Sequence, residues 1–380
     1  MPQQSPLEIP ELLDRCINFV TRSELHIRLD APDLLACSLV ARSWVHPAQS
    51  QLFRAPIHTN PNLFFQPSVV QKFWAALLAS PHLLQHVRLL SVDYSALPPH
   101  CLELLCRELL TRLESLMIRV ENGSQTSPTP DTFPKPSTLP ALRHLSLDLV
   151  GPFSLLDSIV QHFPSTIEHL DLNCTAWDSE IPSDIASTAP LIQLKSARLN
   201  MRGNDDFVWF PLHPGGSSYP FDFSQLKALA IFYAPPIDLS VIPTNRIEIL
   251  DLHVMYVNPP VDLTAFPMLQ ILRFGIGRST ISSIVAETLS TVTSQHRIRT
   301  IIIAVERYRS GQAASYAELD SLIASMPMPS LPAVELEHSF QFHYKPDFVQ
   351  YFPTLVSKNL FRVVSYDFVR ECWQALVNQL

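Results

Sequence analysis

A short apolar pattern of the form LxxLxL recurs along most of the chain. Its ten copies begin at Val87, Leu113, Leu142, Ile167, Leu194, Leu226, Ile247, Leu269, Ile298 and Leu331. Successive copies start 21 to 33 residues apart, a spacing typical of proteins built from stacked structural repeats. Because strand side chains alternate between the two faces of a sheet, each copy predicts one short strand with an apolar face and a second, more polar face.

Apolar residues at helical spacing lie between several of these strands. They are present in the segments PHCLELLCRELLTRL, GPFSLLDSIVQHF, STISSIVAETLSTV and SYAELDSLIASM. One strand and one helix per repeat resembles the leucine-rich repeat, although the asparagine usual in that family is present only at Asn173 and Asn200. The resemblance implies an irregular α/β solenoid over residues 87–380, with parallel strands on the concave face and helices on the convex face. The alternative is an unrelated α/β layered fold.

Two polar, proline-rich insertions interrupt the repeats, at residues 121–140 and 203–224. The first has few large apolar residues, so ordering it would cost more conformational entropy than burial could recover, and a flexible loop is predicted. The second is rich in aromatic residues and either packs over an edge of the sheet or acts as a recognition loop. The C-terminal segment, residues 367–380, predicts a helix that caps the end of the stack.

The first 55 residues predict a separate helical module, which a helical linker over residues 56–86 joins to the repeats. Apolar residues recur at helical spacing in residues 7–20 and 31–44, and a third short stretch covers residues 46–53. A module of about 50 residues is marginally stable by itself. These segments therefore predict a module that docks onto a partner.

The order of these segments resembles the F-box. The matching positions are Ile9, Pro10 and Glu11 at the opening, Leu39, Val40, Arg42 and Trp44 in the middle, and Leu52 and Phe53 at the close. Residues 21–31 form a longer connection than the family usually has, and Ala41 stands where cysteine is common. The brief F-box and ragged repeats together are similar in style to the F-box-like proteins of mushroom-forming fungi.

The resemblance implies docking to the small adaptor protein that bridges F-box chains to a cullin scaffold. The adaptor-binding residues that it implies are Ile9, Pro10, Leu13, Leu34, Leu39, Val40 and Trp44. The alternative is a three-helix cap in which Trp44 fills the core of the cap itself.

A second candidate site lies on the polar side of the repeat strands. Residues at the fifth and seventh positions of the pattern alternate with the inward apolar ones and are expected on the concave face. The central block of these positions is Asp148, Asp171, Asn173, Arg198, Asn200, Asp251, His253 and Arg273. Such a mixed-charge strip suits charge-assisted hydrogen bonds to a protein target. A solvated sheet face without a partner is the alternative.

Composition narrows the functional classes. Only 16% of the residues are charged and the net charge is −8, so no basic surface for nucleic acid or an anionic membrane is expected. The chain has 8 glycines and no glycine-rich phosphate loop or nucleophile elbow. Six scattered cysteines without a CxxC pair favour buried thiols in a reducing compartment, and no secretory signal pattern is present, so a cytoplasmic or nuclear protein is expected.

Candidate catalytic and metal-binding residues are sparse. The pairs His82 with His86 and His338 with His343 have no evident further ligand, and adjacent acids such as Asp205 and Asp206 are usually solvated. We therefore expect no cofactor, no metal and no enzymatic activity. The sequence favours the substrate-recognition subunit of a cullin-based ubiquitin ligase. The alternatives are a non-catalytic repeat scaffold without a ligase and, more remotely, a hydrolase or transferase of unfamiliar architecture.

Overall fold

The computed structural model describes fourteen stretches of the chain. They are residues 39, 44–49, 75, 79–93, 111–120, 139–150, 163–175, 191–202, 221–232, 242–253, 260–276, 282–305, 313–339 and 347–366. The chain divides into two compact units, Met1–Ile167 and Glu168–Leu380.

The first unit contains three parallel strands in chain order. They are β1 (Leu89–Asp93), β2 (Ser115–Val120) and β3 (His144–Val150). Strand β2 pairs with β1 on one side and with β3 on the other. A 3-10 helix, Pro81–His86, leads into β1, and residues 44–49 are helical.

The second unit contains ten strands. They are β4 (His169–Thr175), β5 (Ile192–Gln193), β6 (Ser196–Arg202), β7 (Phe221–Asp222), β8 (Ala228–Phe232), β9 (Ile249–His253), β10 (Ile271–Ile276), β11 (Thr300–Val305), β12 (Ala333–Ser339) and β13 (Phe361–Tyr366). Eight of them form one parallel sheet in the order β4-β6-β8-β9-β10-β11-β12-β13, while β5 and β7 form a separate parallel pair. Parallel strands that follow chain order are what one strand per repeat requires.

Helices are few among the described residues. In the second unit they are α1 (Ser282–Ser290), α2 (Ala313–Ala324) and α3 (Pro353–Ser357), with 3-10 helices at Thr244–Arg246, Leu263–Ala265 and Phe348–Tyr351. Helix α1 lies between β10 and β11, α2 between β11 and β12, and α3 between β12 and β13. Two of the four predicted helical segments are thus confirmed. The other two, around residues 99–110 and 151–162, lie outside the described residues.

All ten predicted strands are present, and each begins two residues after the first apolar residue of its repeat. Leu226 precedes β8 in this way, and Ile247 precedes β9; both side chains are fully buried. The eleventh repeat strand, β13, was not predicted, because Lys358 stands where the pattern has its first apolar residue. Register identifies the repeat, since Phe361 pairs with Val334 at the inward position of β12.

Backbone hydrogen bonds link successive repeats at the point where the chain enters most of the strands. The carbonyl of Glu248 accepts from the N–H groups of Gln270 and Ile271, at 2.8 and 3.0 Å. The carbonyl of Lys227 likewise accepts from Glu248 and Ile249, at 2.7 and 3.0 Å. We call these doubly bonded carbonyls the strand-entry rungs. They satisfy two donors of the next repeat and fix its register on the previous one.

Both faces of the sheet are buried around strands β8 to β11. Leu229 and Ile231 are buried on one face, and on the other a second apolar cluster is formed by Ala228, Ala230, Phe232, Ile249 and Ile302. The sequences ALAIF and TIIIAV agree with this, because strands covered on both faces are nearly continuously apolar. The expectation of a single apolar face therefore fails in this part of the sheet.

The structure describes the insertions only at their ends. Phe221, at the end of the second insertion, is buried in the small β5–β7 pair, which favours packing for that residue over a free recognition loop. Residues 203–220, residues 121–138 of the first insertion and the predicted C-terminal helix over residues 367–380 lie outside the described residues.

Candidate functional site

The predicted polar strip lies on one face of the strands, as the alternation requires. In the second unit, Asp171 is in register with Arg198 and Asn173 with Asn200. Asp251 is likewise in register with Arg273. Neighbouring parallel strands lie about 4.8 Å apart, so paired residues are direct neighbours across the sheet. The sequence therefore predicted correctly which residues share a face.

Four of these residues form a half-buried group that we call the outer patch: Asp171, Asn173, Arg198 and Asn200. A guanidinium nitrogen of Arg198 lies 3.6 Å from an Asp171 carboxylate oxygen, and their side chains are 14% and 23% exposed. The Arg198 guanidinium also lies over the ring of Phe232, 4.6 Å from its centre. Such cation–π contact holds the charge in place, and because Arg198 Nε is buried, the terminal guanidinium nitrogens are the ones that can meet a partner.

Asp148 belongs to the first unit and has its own partner there. Its carboxylate lies 3.7 Å from Arg119 Nε, and each side chain is about one third exposed (32% and 35%). An ion pair with this exposure contributes little to stability. Asp148 is thus accessible for contact with a partner.

The remaining charged residues of the strip, Asp251 and Arg273, are buried together with Glu337 in what we call the arginine cluster. Arg273 Nη1 donates to both carboxylate oxygens of Asp251, at 3.0 and 2.9 Å, and Arg273 Nε donates to Glu337 at 2.9 Å. Arg273 and Asp251 are 1% and 0% exposed. A buried guanidinium needs such charge-assisted hydrogen bonds to offset its desolvation.

The electrostatics of the cluster are unbalanced, because two carboxylates share one guanidinium. Burial raises the pKa of Glu337 above its ordinary value of 4.5; Arg273 opposes this shift, whereas Asp251 and Glu335 add to it. Glu335 in turn accepts a hydrogen bond from the exposed Arg362 on β13. The structure thus adds Glu337 to the polar strip. The sequence could have indicated this, because Glu337 occupies the seventh position of the last predicted repeat.

His253 is also buried, and its ring explains a glycine on the next strand. The imidazole stacks on Phe232 with 4.7 Å between the ring centres. A Cβ atom placed on Gly275 would lie 1.9 Å from His253 Cδ2. Gly275 therefore gives the histidine ring its space, which accounts for the missing side chain at the seventh position of that repeat.

The burial of Asp251, His253 and Arg273 corrects the prediction of one continuous binding strip. All three side chains are at most 2% exposed, so they are structural residues of the sheet in the described conformation. Sequence alone did not reveal this, because charged residues at alternating positions are usually solvated. Of the eight predicted target-binding residues, the outer patch and Asp148 keep surface exposure.

Two of the predicted adaptor-binding residues are described. Leu39 is helical and 86% exposed, and Trp44 is a half-buried residue of the helical stretch 44–49. A leucine this exposed in water is disfavoured by about 1.5 to 3 kcal/mol relative to full burial. The other five, Ile9, Pro10, Leu13, Leu34 and Val40, lie outside the described residues.

Sequence reasoning missed a row of charged residues beside the strand-entry rungs. Lys195 Nζ donates to Glu168 at 2.7 Å, and Lys227 Nζ lies 3.3 Å from Glu248. The same second position of the pattern has Arg88 and Glu114, 3.5 Å apart, in the first unit. The sequence pattern that could have predicted this row is a charged residue directly after the first apolar residue of most repeats. These exposed pairs favour correct repeat order more than they add stability.

Metal and membrane sites receive no support from the described residues. No group of three or more His, Cys, Asp or Glu side chains among them is arranged to hold a metal ion. His82 and His86 lie on a 3-10 helix, where residues three apart eclipse, so the four-residue spacing does not align them. No described helix has the length and apolar character that a membrane crossing needs.

Comparisons with known proteins add little. No family model matches the chain, and no curated protein matches it. Among solved structures, the chain is similar to an internalin from Listeria monocytogenes, with a TM-score of 0.32 and 13% identity over 77% of this chain and 70% of that chain. A likeness this distant carries no argument, and fold and function rest on the chain's own residues.

Proposed function

We propose that this chain is a protein-interaction scaffold that holds a protein target on the polar face of its repeat strands. The observation that carries the proposal is the outer patch, where parallel pairing brings Asp171 beside Arg198 and Asn173 beside Asn200 at partial exposure. The Asp171 carboxylate offers an acceptor and the Arg198 guanidinium offers donors to a polypeptide, while the side-chain oxygens of Asn173 and Asn200 are buried beside them. Rigid strands hold them in fixed positions, so little conformational entropy is lost on binding.

The finer proposal is that the scaffold is the substrate-recognition subunit of a cullin-based ubiquitin ligase. The F-box-like order of the N-terminal segments supports it, together with the exposed Leu39. Leu39 and Trp44 both belong to the adaptor-binding set that the resemblance implies, and the exposed side chain of Leu39 is accessible to a partner. In this proposal the adaptor binds the N-terminal module, and the target binds the repeats.

The adaptor interaction is tested with the full chain and the purified cullin adaptor. Leu39→Asp should reduce adaptor binding by at least about tenfold, because a charge replaces an apolar anchor. Leu191→Asp is the matched control, since Leu191 is another exposed leucine, 66% accessible, in the second unit. Failure of the wild-type chain to bind the adaptor at micromolar concentration would remove the ligase proposal and leave the scaffold proposal intact.

Target capture is tested by affinity purification from cells with the proteasome blocked. The double variant Asp171→Ser and Arg198→Ser should lose proteins that the wild type retains, while Glu168→Ser and Lys195→Ser, an exposed ion pair outside the patch, should keep them. Equal thermal unfolding of the two variants excludes a folding defect. Unchanged capture by the patch variant would place the target elsewhere on the chain.

A further inference from the structure

The first unit contains a contact between its N-terminal helical stretch and the start of its repeats. The imidazole of His46, in the stretch 44–49, meets that of His86 edge to face, with 4.9 Å between the ring centres. His86 ends the 3-10 helix that leads into β1 and is 6% exposed. Ala48, two residues after His46, is fully buried. The two segments are therefore packed together.

The groups that face His86 are mostly basic. They are His46 from the helical stretch, His82 from the same 3-10 helix, and Arg88 and Arg112 from the approaches to β1 and β2. One acid, Glu114, lies 3.5 Å from Arg88, and its side chain is about half exposed (49%). A proton on His86 would thus be buried among cationic or potentially cationic neighbours.

We propose that the His46–His86 contact is a proton-sensitive joint, which fastens the N-terminal helical stretch to the first repeat at neutral pH and loosens it in acid. An uncharged imidazole pair packs as two aromatic rings. A charged His86 draws water, repels the neighbouring arginines and favours separation of the two segments. The joint therefore controls how firmly the predicted docking module is held to the repeats, whichever partner either part binds.

The direction of the pH response follows from the titration of His86. Desolvation is the largest cause that lowers the pKa of this residue below its ordinary value of 6.5, and His46, His82 and the two arginines add to the shift. Because the packed form binds a proton less tightly than the separated form, the contact has its full strength above pH 6.5. Its strength falls as the pH drops below that value and through the pKa of the packed histidine.

Hydrogen–deuterium exchange of the full chain tests the joint. The protection factor of residues 44–49, corrected for intrinsic exchange, should fall between pH 7.5 and 5.5 by up to about tenfold per pH unit, the limit for uptake of one proton. His86→Phe retains an aromatic ring without the titrating nitrogens and should make this profile flat. His144→Gln, a half-buried histidine at the start of β3 in the same unit, should retain the wild-type profile.

A flat wild-type profile would overturn the proposal, and so would an equal fall in His86→Phe. If His86→Phe does not fold, His46→Phe tests the proposal instead, because His46 is the exposed residue of the pair. That variant removes one of the groups that lower the pKa of His86, so its loss of protection should be smaller than in the wild type. An unchanged loss in His46→Phe would also overturn the proposal.

Discussion

Arg273 shows how one buried residue constrains its neighbours. Its guanidinium is hydrogen-bonded to both oxygens of Asp251 and to one of Glu337. Removing one partner from a buried ion pair leaves an uncompensated charge, whereas removing surplus charge does not. The two carboxylates are therefore unequal: Asp251 neutralises Arg273, and Glu337 brings a second negative charge.

We predict that Glu337→Gln and Asp251→Asn differ in unfolding free energy. Asp251→Asn should lose about 3 to 5 kcal/mol at pH 7, because it breaks the two-oxygen pairing with a buried guanidinium. Glu337→Gln should stay within about 1 kcal/mol of the wild type, because its amide oxygen still accepts from Arg273 Nε. Urea unfolding at pH 7 measures both values, and an equal loss in the two variants would contradict this assignment.

The raised pKa of Glu337 gives the same pair a pH signature. A carboxyl group whose pKa is raised in the folded chain does not lower the free energy of unfolding below the pKa of the unfolded chain, about 4.5. It lowers that free energy as the pH rises through the pKa of the folded chain. Glu337→Gln should therefore gain stability relative to the wild type as the pH rises from 4.5 to 8. Urea titrations at several pH values check the sign, and a relative loss across this range would refute it.

Gly275 and His253 should be coupled. Gly275→Ala places a methyl group against the imidazole, which is itself stacked on Phe232, and overpacking of this kind costs about 1 to 3 kcal/mol. In the His253→Ala background the same substitution should cost clearly less, because the space is vacated. A double-mutant cycle by thermal or urea unfolding measures the coupling. Additive losses would show that the contact is unimportant.

At the scale of elements, α3 depends on a side chain from α2. Helix α3 has five residues and begins with Pro353, so it has little stability of its own. Asp320 on α2 is 2% exposed and accepts from the N–H groups of Thr354 and Leu355, both at 2.9 Å. The carboxylate thus satisfies two donors at the helix start that would otherwise be unpaired.

We predict that Asp320→Ala destabilises the chain by about 1 to 3 kcal/mol, because the buried N–H of Leu355 and the part-buried N–H of Thr354 lose their acceptor. Asp320→Asn retains one acceptor oxygen and should lose less. Glu318→Ala, an exposed acid on the same helix, is the control and should change the unfolding free energy by less than about 0.5 kcal/mol. Urea unfolding distinguishes the three, and equal losses for Asp320→Ala and Glu318→Ala would exclude the capping role.

The elements also show what the sequence could and could not predict. The repeated pattern predicted where each strand begins and which of its residues share a face, because an apolar residue marks the start of each copy and apolar residues then alternate along the strand. All ten strands predicted in this way are present. Strand β13 was not predicted, because Lys358 stands where the first apolar residue of the pattern would be. Only its pairing with β12 in the folded chain identifies it as a repeat strand. The burial of Arg273 escaped for a similar reason, since a charged residue reveals its burial only through its partners on other strands.

At the scale of the whole molecule, the strand-entry rungs fix the register of the strands independently of the length of the segments that connect them. We predict that six Gly/Ser residues inserted within residues 306–312, between β11 and α2, cost less than about 1 kcal/mol, since closure entropy grows slowly with loop length. The same insertion between Glu248 and Ile249 splits a rung and should abolish cooperative unfolding. Circular dichroism melts compare the two, and equal tolerance would show that the rungs do not set register.

The rungs have a further consequence for how such a chain changes over generations. Seven strands, β2, β3, β6, β8, β9, β10 and β11, are each aligned by two backbone hydrogen bonds at their entry. Spacing between copies ranges from 21 to 33 residues while the strands stay parallel and in order. Backbone bonds are largely insensitive to which side chains are present. Segments between strands can therefore lengthen, shorten or be replaced without disturbing the sheet, which makes the connections the natural place for new specificities to arise.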